Sequence, residues 1–250
     1  MKKKIRNIQI SCDGGAATGK STGAKMISKK YNLKFLSSGL LYRYASYLIL
    51  KFKPKNKIKF LRQKFQNLNY KNLNKINLHT PAISEHSATI AKVQKIREIL
   101  KKFQIDFSKK HKNCCIEGRD ISTKVLPNSD VKFFFKCSLN IAARRRYNEL
   151  KKKFPNIKLN DVKKALRIRN ISDIKRRNSP LLRHRDSVEI DTGKLGKQAM
   201  LTKMSSYVEI KVLKKYGNWT RIKKYKLITQ RVPKSIDQDF KDRKLKENEI

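Results

Sequence analysis

An α/β fold, with a parallel sheet covered on both faces, is predicted by three observations. Five short apolar runs have strand length, helical patterns separate them, and a glycine-rich turn joins the first run to the first helix. The first run, "IRNIQISC" (Ile5–Cys12), is mostly apolar, as a strand buried on both faces must be. The turn "DGGAATGKST" (Asp13–Thr22) follows, opening a helix with Ala24, Met26 and Ile27 among its apolar positions. "LKFLS" (Leu33–Ser37) reads as a second strand and Gly39–Leu50 as a helix. Residues Lys51–Asn77 are rich in Lys, Asn and Gln with scattered aromatics, which suits an inserted lobe rather than sheet. Ser84–Phe107 is predicted as one helix whose stripe Ile90, Val93, Ile96, Ile99, Leu100 and Phe103 faces a core. Strands follow at "NCCIE" (Asn113–Glu117) and "VKFFFKC" (Val131–Cys137). Basic helices then run from about Ile141 to Arg169, leading into an Arg-rich turn. "SVEID" (Ser187–Asp191) is the fifth strand, and Lys197–Lys214 a last helix.

The chain of 250 residues is compatible with one domain carrying smaller lobes, and 38% hydrophobic residues suffice for a core. Lys and Arg number 63 against 19 acidic residues, a formal net charge of +44. Such an excess suits a polyanionic partner. The basic residues are spread along the whole chain, however, and Lys, Asn and Ile are abundant together, as an AT-rich coding sequence produces. Nucleic acid is therefore a partner that the charge permits and does not favour. The basic start "MKKKIRN" is followed by a run that meets Asp13 before reaching signal-peptide length, and the apolar run Tyr44–Leu50 is too short to span a bilayer. Cys12, Cys114, Cys115 and Cys137 lie in or beside apolar runs, which suits buried thiols, and with His79, His86, His111 and His184 they show no zinc-ligand spacing. The expectation is a reduced, cytoplasmic setting without a membrane partner.

Chemistry enters with the turn. Gly14, Gly19, Lys20 and Ser21 spell G-x-x-x-x-G-K-[ST] between a strand and a helix. Glycines let backbone N–H groups converge on phosphate oxygens, and the helix N-terminus adds a favourable dipole. Gly14, Gly15, Ala16, Ala17, Thr18, Gly19, Lys20, Ser21 and Thr22 are thus the candidate loop for the phosphates of a nucleoside triphosphate. Lys20 is placed to meet the β- and γ-phosphates, and the Ser21 hydroxyl to ligate Mg²⁺. A phosphate loop alone does not name the second substrate. Three further clusters bear on it: "SSGLLYR" (Ser37–Arg43), "EGRD" (Glu117–Asp120) at the end of the third strand, and "RNISDIKRRNSPL" (Arg169–Leu181).

Taken in order, these stretches resemble the cytidylate kinase family of nucleoside monophosphate kinases. That family carries S-G-x-x-Y-R, V-R-E-x-L, G-R-D and a lid with R-D-x-x-D-S-x-R-x-x-S-P-L. Here they appear as "SGLLYR", "IREIL" (Ile96–Leu100), "GRD" (Gly118–Asp120) and the lid segment, and "EIDT" (Glu189–Thr192) is similar too. The resemblance runs from about Ile5 to Thr192.

It implies a P-loop nucleotide kinase fold with a nucleoside-monophosphate-binding insertion and an Arg-rich lid. It also implies transfer of the γ-phosphoryl group of ATP to CMP or dCMP with Mg²⁺. By the same resemblance, Ser38 and Arg43 hold the ribose–phosphate end of CMP, while Arg97 with Arg119 and Asp120 reads cytosine. Arg169 and Arg176 reach the transferring phosphoryl group and CMP, and Asp173 holds the sugar hydroxyls. Glu117 stands where the family usually has Asp, near the magnesium waters. Cytosine chemistry agrees, since a carboxylate accepts from the N4 amine and an arginine donates to O2 and N3. Arginine also suits phosphate oxygens through paired N–H groups.

The chain departs from the family pattern at Ser37, His79, Ala88, Lys136, Ala142, Asn170 and Ile174, which leaves the preference among CMP, dCMP and UMP open. The expected organisation is a kinase core over 1–50 and 80–215, with the lid at about 155–185. Residues 51–79 form the short insertion, and 216–250 a flexible basic extension holding Trp219 beside Arg221, Lys223 and Lys224. A monomer is expected from the resemblance. The rival readings are a related kinase with another monophosphate acceptor, such as AMP or UMP, and a nucleic-acid-binding protein with a degenerate phosphate loop.

Overall fold

In the computed structural model, which describes residues 7–152 and 154–216, the strand-length runs become five parallel strands in the order β2-β3-β1-β4-β5. They are β1 (Gln9–Gly14), β2 (Lys34–Ser37), β3 (Cys114–Gly118), β4 (Val131–Lys136) and β5 (Val188–Asp191). The central strands are apolar on both faces because helices cover both: Ile10, Cys12, Cys115, Ile116 and Phe133 are fully buried. Among the described residues eight α-helices connect and flank the strands: α1 (Lys20–Tyr31), α2 (Ser38–Phe52), α3 (Lys57–Gln66), α4 (Pro81–Ile90), α5 (Gln94–Lys110), α6 (Leu139–Lys151), α7 (Leu159–Lys175) and α8 (Lys197–Tyr216). The chain divides into two units, Met1–Leu201 and Thr202–Ile250, and every feature of the site below lies in the first. No helix among the described residues is long and apolar enough to cross a membrane.

Side-chain caps explain several helix starts. Ser37 caps α2 by accepting from Leu40 N at 3.3 Å, Asn56 caps α3 from Lys59 N at 2.9 Å, and Thr80 caps α4 with Pro81 in the first turn. The lobe at 51–79 is α3 and a 3₁₀ segment, Tyr70–Lys75, whose Leu61, Phe65, Leu73 and Leu78 join the main core beside Leu41, Leu48 and Leu100.

Three expectations need correction. The helix expected over 84–107 is two helices, because Val93 is extended (φ −84, ψ 111) and the chain turns between Ile90 and Gln94. Ile90, Ile96 and Leu100 are buried as expected, but Val93 lies at the turn and is 42% exposed. The first strand reaches Gly14 rather than stopping at Cys12, so the phosphate loop begins inside the sheet; the expected start at Ile5 lies outside the described residues. The Arg-rich segment is mostly helix, since Arg169–Lys175 completes α7 and only Arg176 begins the turn. Trp219, Arg221, Lys223, Lys224 and the rest of the basic extension beyond Tyr216 also lie outside the described residues.

Candidate active site

A cleft of about 1320 Å³ opens where the strands end at their carboxyl termini. One wall is the loop from Ala16 to Thr22. Gly14 is required because a Cβ there would sit 2.4 Å from the Phe135 carbonyl oxygen, and Gly19 because its φ is +80. Lys20, only 7% exposed, opens α1 and folds its ammonium back to donate to Gly15 O at 3.1 Å. Burial, with Arg119 adding repulsion, lowers its pKa to about 7, although Glu117 opposes the shift. Glu117 Oε2 stands 3.9 Å from the ammonium, and its Oε1 accepts a hydrogen bond from Ser37 Oγ. Ser37 is also the cap of α2, and Ser38 is buried in the cleft wall.

The opposite wall is a lattice of ion pairs. Buried Arg97 donates to Asp120 Oδ2 at 2.5 Å and to Ala91 O at 3.1 Å, with its guanidinium over the Tyr42 ring. Arg119 does not join its sequence neighbour Asp120; it donates to Asp173 Oδ2 on α7 at 2.8 Å. Arg176 bridges the two acids, with Nη1 3.3 Å from Asp173 Oδ1 and Nη2 4.0 Å from Asp120 Oδ1. Burial alone would raise the Asp173 pKa, but Arg119, Arg169 and Arg176 outweigh it and hold the carboxyl below its usual range. Arg169 is itself lowered to about 10 by burial and then by Arg119. Burial also lowers Arg43, with Arg146 adding to the shift. Arg43 Nε and Arg176 Nη2 are buried donors with no hydrogen-bond partner among the described residues, and both side chains line the cleft.

Helix α7 reaches across this cleft. Val162 and Leu166 pack with Ala142, Ala143 and Ala16, so the Ala142 departure makes an apolar seat for α7. Asn170 Oδ1 accepts from the Ala16 N–H at 3.1 Å, tying α7 to the phosphate loop. Among the other departures, Ala88 and His79 line the cleft, whereas Lys136 pairs with Glu189 at 2.5 Å and Ile174 is 53% exposed.

Two residues have a larger part than their sequence positions suggest. Arg145 reads as part of a solvated basic face with Arg144 and Arg146. Its guanidinium instead donates to Thr192 Oγ1 at 2.8 Å and Thr192 O at 2.7 Å, and Thr192 Oγ1 donates to Thr18 O at 2.9 Å. The phosphate loop is thus held through Thr192 by a residue that no motif marks, and both Arg145 and Thr192 line the cleft. Asp13 is the second: it is fully buried and accepts three hydrogen bonds from Ile121 and Ser122. Chemically, the cleft joins a phosphate-binding loop to a wall carrying Arg43, Arg97, Arg119, Arg169 and Arg176, with Asp120 as a buried acceptor. That arrangement has the chemistry to hold two phosphorylated groups and to discriminate one by a base amine.

A model of the cytidylate kinase family matches residues 10–210. The chain is 33% identical to a cytidylate kinase of Clostridium botulinum over 215 residues, covering 81% of this chain and 98% of the relative. It is 33% identical over 218 residues to a cytidylate kinase of Fusobacterium nucleatum, with 81% and 98% covered, and 30% identical to one of Clostridium tetani, with 86% and 99% covered. Among solved structures, an uncharacterized protein of Eubacterium ventriosum superposes with a TM-score of 0.50 at 15% identity, covering 82% of this chain and 99% of that one; this likeness concerns the fold.

Proposed function

The chain belongs to the cytidylate kinase family, whose members phosphorylate CMP from ATP, and from that premise we propose how its residues divide the work. The protein is a phosphotransferase, and the reaction is ATP + CMP ⇌ ADP + CDP, with dCMP as a second acceptor. The observation that carries the division of roles is a single cleft holding Lys20 of the phosphate loop together with Arg97, Asp120, Arg169 and Asp173.

ATP phosphates lie along Gly14–Thr22, where the loop N–H groups and the N-terminus of α1 face them and Lys20 meets the β- and γ-phosphates. Bound phosphate also restores the charge of Lys20 against the burial that lowers its pKa. The residues fit Mg²⁺. Ser21 and Glu117 offer oxygen donors, and no group of three or more His, Cys, Asp or Glu among the described residues forms a protein cage. That suits a cation bound largely by substrate phosphates and water. Ser21 and Glu117 would hold Mg²⁺, which would supply neutralisation of phosphate charge when bound.

On the acceptor side, Ser38 and Arg43 take the CMP phosphate, and Asp120 accepts from the cytosine amine while Arg97 holds the carboxylate in place. Arg119 completes base recognition, and Asp173 takes the ribose hydroxyls. Arg169 and Arg176 approach the transferring group from the lid, neutralising its oxygens. No general base is needed, because the attacking phosphate oxygen is already anionic. Closure of α7 keeps water from the phosphoryl group.

Residues 51–79 serve as the acceptor-binding insertion and about 155–185 as the lid. A monomer in the cytoplasm, working in pyrimidine nucleotide metabolism, fits this chemistry. The nucleic-acid alternative is not favoured.

The test is a coupled assay of ADP release with CMP, dCMP, UMP and AMP, at graded Mg²⁺. The expected order places CMP and dCMP first, with no turnover after chelation. Preference for AMP would overturn the acceptor assignment.

A further inference from the structure

The phosphate loop and the base-reading turn meet at one buried carboxylate. Asp13 sits on β1 one residue before Gly14, with its Cα opposite Gly118 of β3. Its side chain is 0% exposed. Oδ1 accepts from Ile121 N at 2.8 Å, and Oδ2 accepts from Ser122 N at 2.7 Å and Ser122 Oγ at 2.6 Å. Those N–H groups open a single wide helical turn, Ile121–Val125, that begins immediately after Asp120 and has no side-chain cap of its own. Asp120 O in turn accepts from Lys124 N and Val125 N. Asp13 therefore caps, from a neighbouring strand, the turn whose first backbone positions aim Asp120 at Arg97.

A neutral cap would avoid the cost of burying a charge, and that burial raises the Asp13 pKa to about 6. A carboxylate supplies acceptors alone to three converging donors, whereas an asparagine would turn an NH₂ toward one of them.

We infer that Asp13 is a positioning residue: it aligns the Asp120 turn with the phosphate loop and so sets acceptor affinity without touching either substrate. The inference rests on the reading of Asp120 as part of the acceptor site.

The test compares wild type, Asp13→Asn and Ser122→Ala for kcat, KM for ATP, KM for CMP and thermal midpoint, with calorimetric CMP affinity as a second readout. Asp13→Asn is expected to raise the KM and Kd for CMP about tenfold or more, with KM for ATP within about twofold. Ser122→Ala removes one of the three bonds and leaves both backbone N–H bonds, so it is expected to raise the KM for CMP about two- to fivefold with a modest fall in melting temperature. If Asp13→Asn does not fold, Ser122→Ala decides alone. Lowered thermal midpoints with unchanged acceptor affinity would overturn the inference and leave Asp13 a stability residue. Wild-type protein that neither binds nor phosphorylates CMP would instead overturn the acceptor reading beneath it.

Discussion

The two walls of the cleft are assembled in opposite ways. The donor wall draws on consecutive residues, Gly14–Thr22, and on backbone N–H groups whose positions follow from one strand, one turn and one helix. The acceptor wall is built from side chains as distant as Arg97, Arg119, Asp173 and Arg176, joined by ion pairs that no local rule dictates. A wall of backbone tolerates side-chain change at most of its positions. A wall of paired charges does not, because each partner removed strands another in a poorly hydrated place.

The sharpest break in this comparison comes from the one donor side chain that matters by charge. Lys20→Ala is expected to lower kcat about 10²- to 10³-fold while the protein stays folded, because the loop geometry is carried by Gly14 and Gly19. Steady-state kinetics beside a thermal melt check both halves of that statement. On the acceptor wall the expectation reverses. Arg97→Ala leaves Asp120 buried with Arg176 at 4.0 Å as its nearest remaining cation, and so is expected to cost about 3–5 kcal/mol of stability as well as acceptor affinity. Denaturant unfolding measures the first effect and KM for CMP the second.

Proton balance separates the walls next. Burial lowers the pKa of free Lys20 from its ordinary 10.5 to about 7, so above neutral pH the folded protein carries it partly uncharged. Phosphate at the loop raises that pKa, so ATP binding at pH 8 is expected to take up a proton, and less of one as pH falls below 7. Calorimetry in buffers of different ionisation enthalpy reads this directly, and Lys20→Ala should abolish it. The smallest effect belongs to the contact between the walls. Asn170→Ala removes the bond to Ala16 N and is expected to change KM for ATP about two- to fivefold, with stability within about 1 kcal/mol.

The same contrast explains what could be read from sequence. The strands were legible because burial on both faces demands continuous apolar runs, and the phosphate loop because its ligands are neighbours. The turn at Ala91–Val93 was not, since neither glycine nor proline marks it and its carbonyl at Ala91 is answered by Arg97 from the next helix. Helix α3 had a signal, Asn56 followed by apolar Ile58, Leu61 and Phe65, submerged in a Lys-rich stretch. Arg119 and Asp120 are adjacent in sequence, yet they take different partners, because Asp120 points inward to Arg97 and Arg119 outward to α7. Arg145 had no sequence signal: its partner Thr192 lies 47 residues away and depends on β5 emerging beside the loop. Charge composition was the least informative feature, since the arginines of the cleft are few among 63 basic residues.

The most direct measurement is CDP formation from ATP and CMP by wild type and by Asp120→Asn, with KM determined separately for each substrate. Wild-type protein should make CDP, and the variant should show a KM for CMP raised about tenfold or more with KM for ATP little changed. No CDP from the wild type, or equal shifts in both KM values, would contradict the division of the cleft into a donor wall and a cytosine-reading wall.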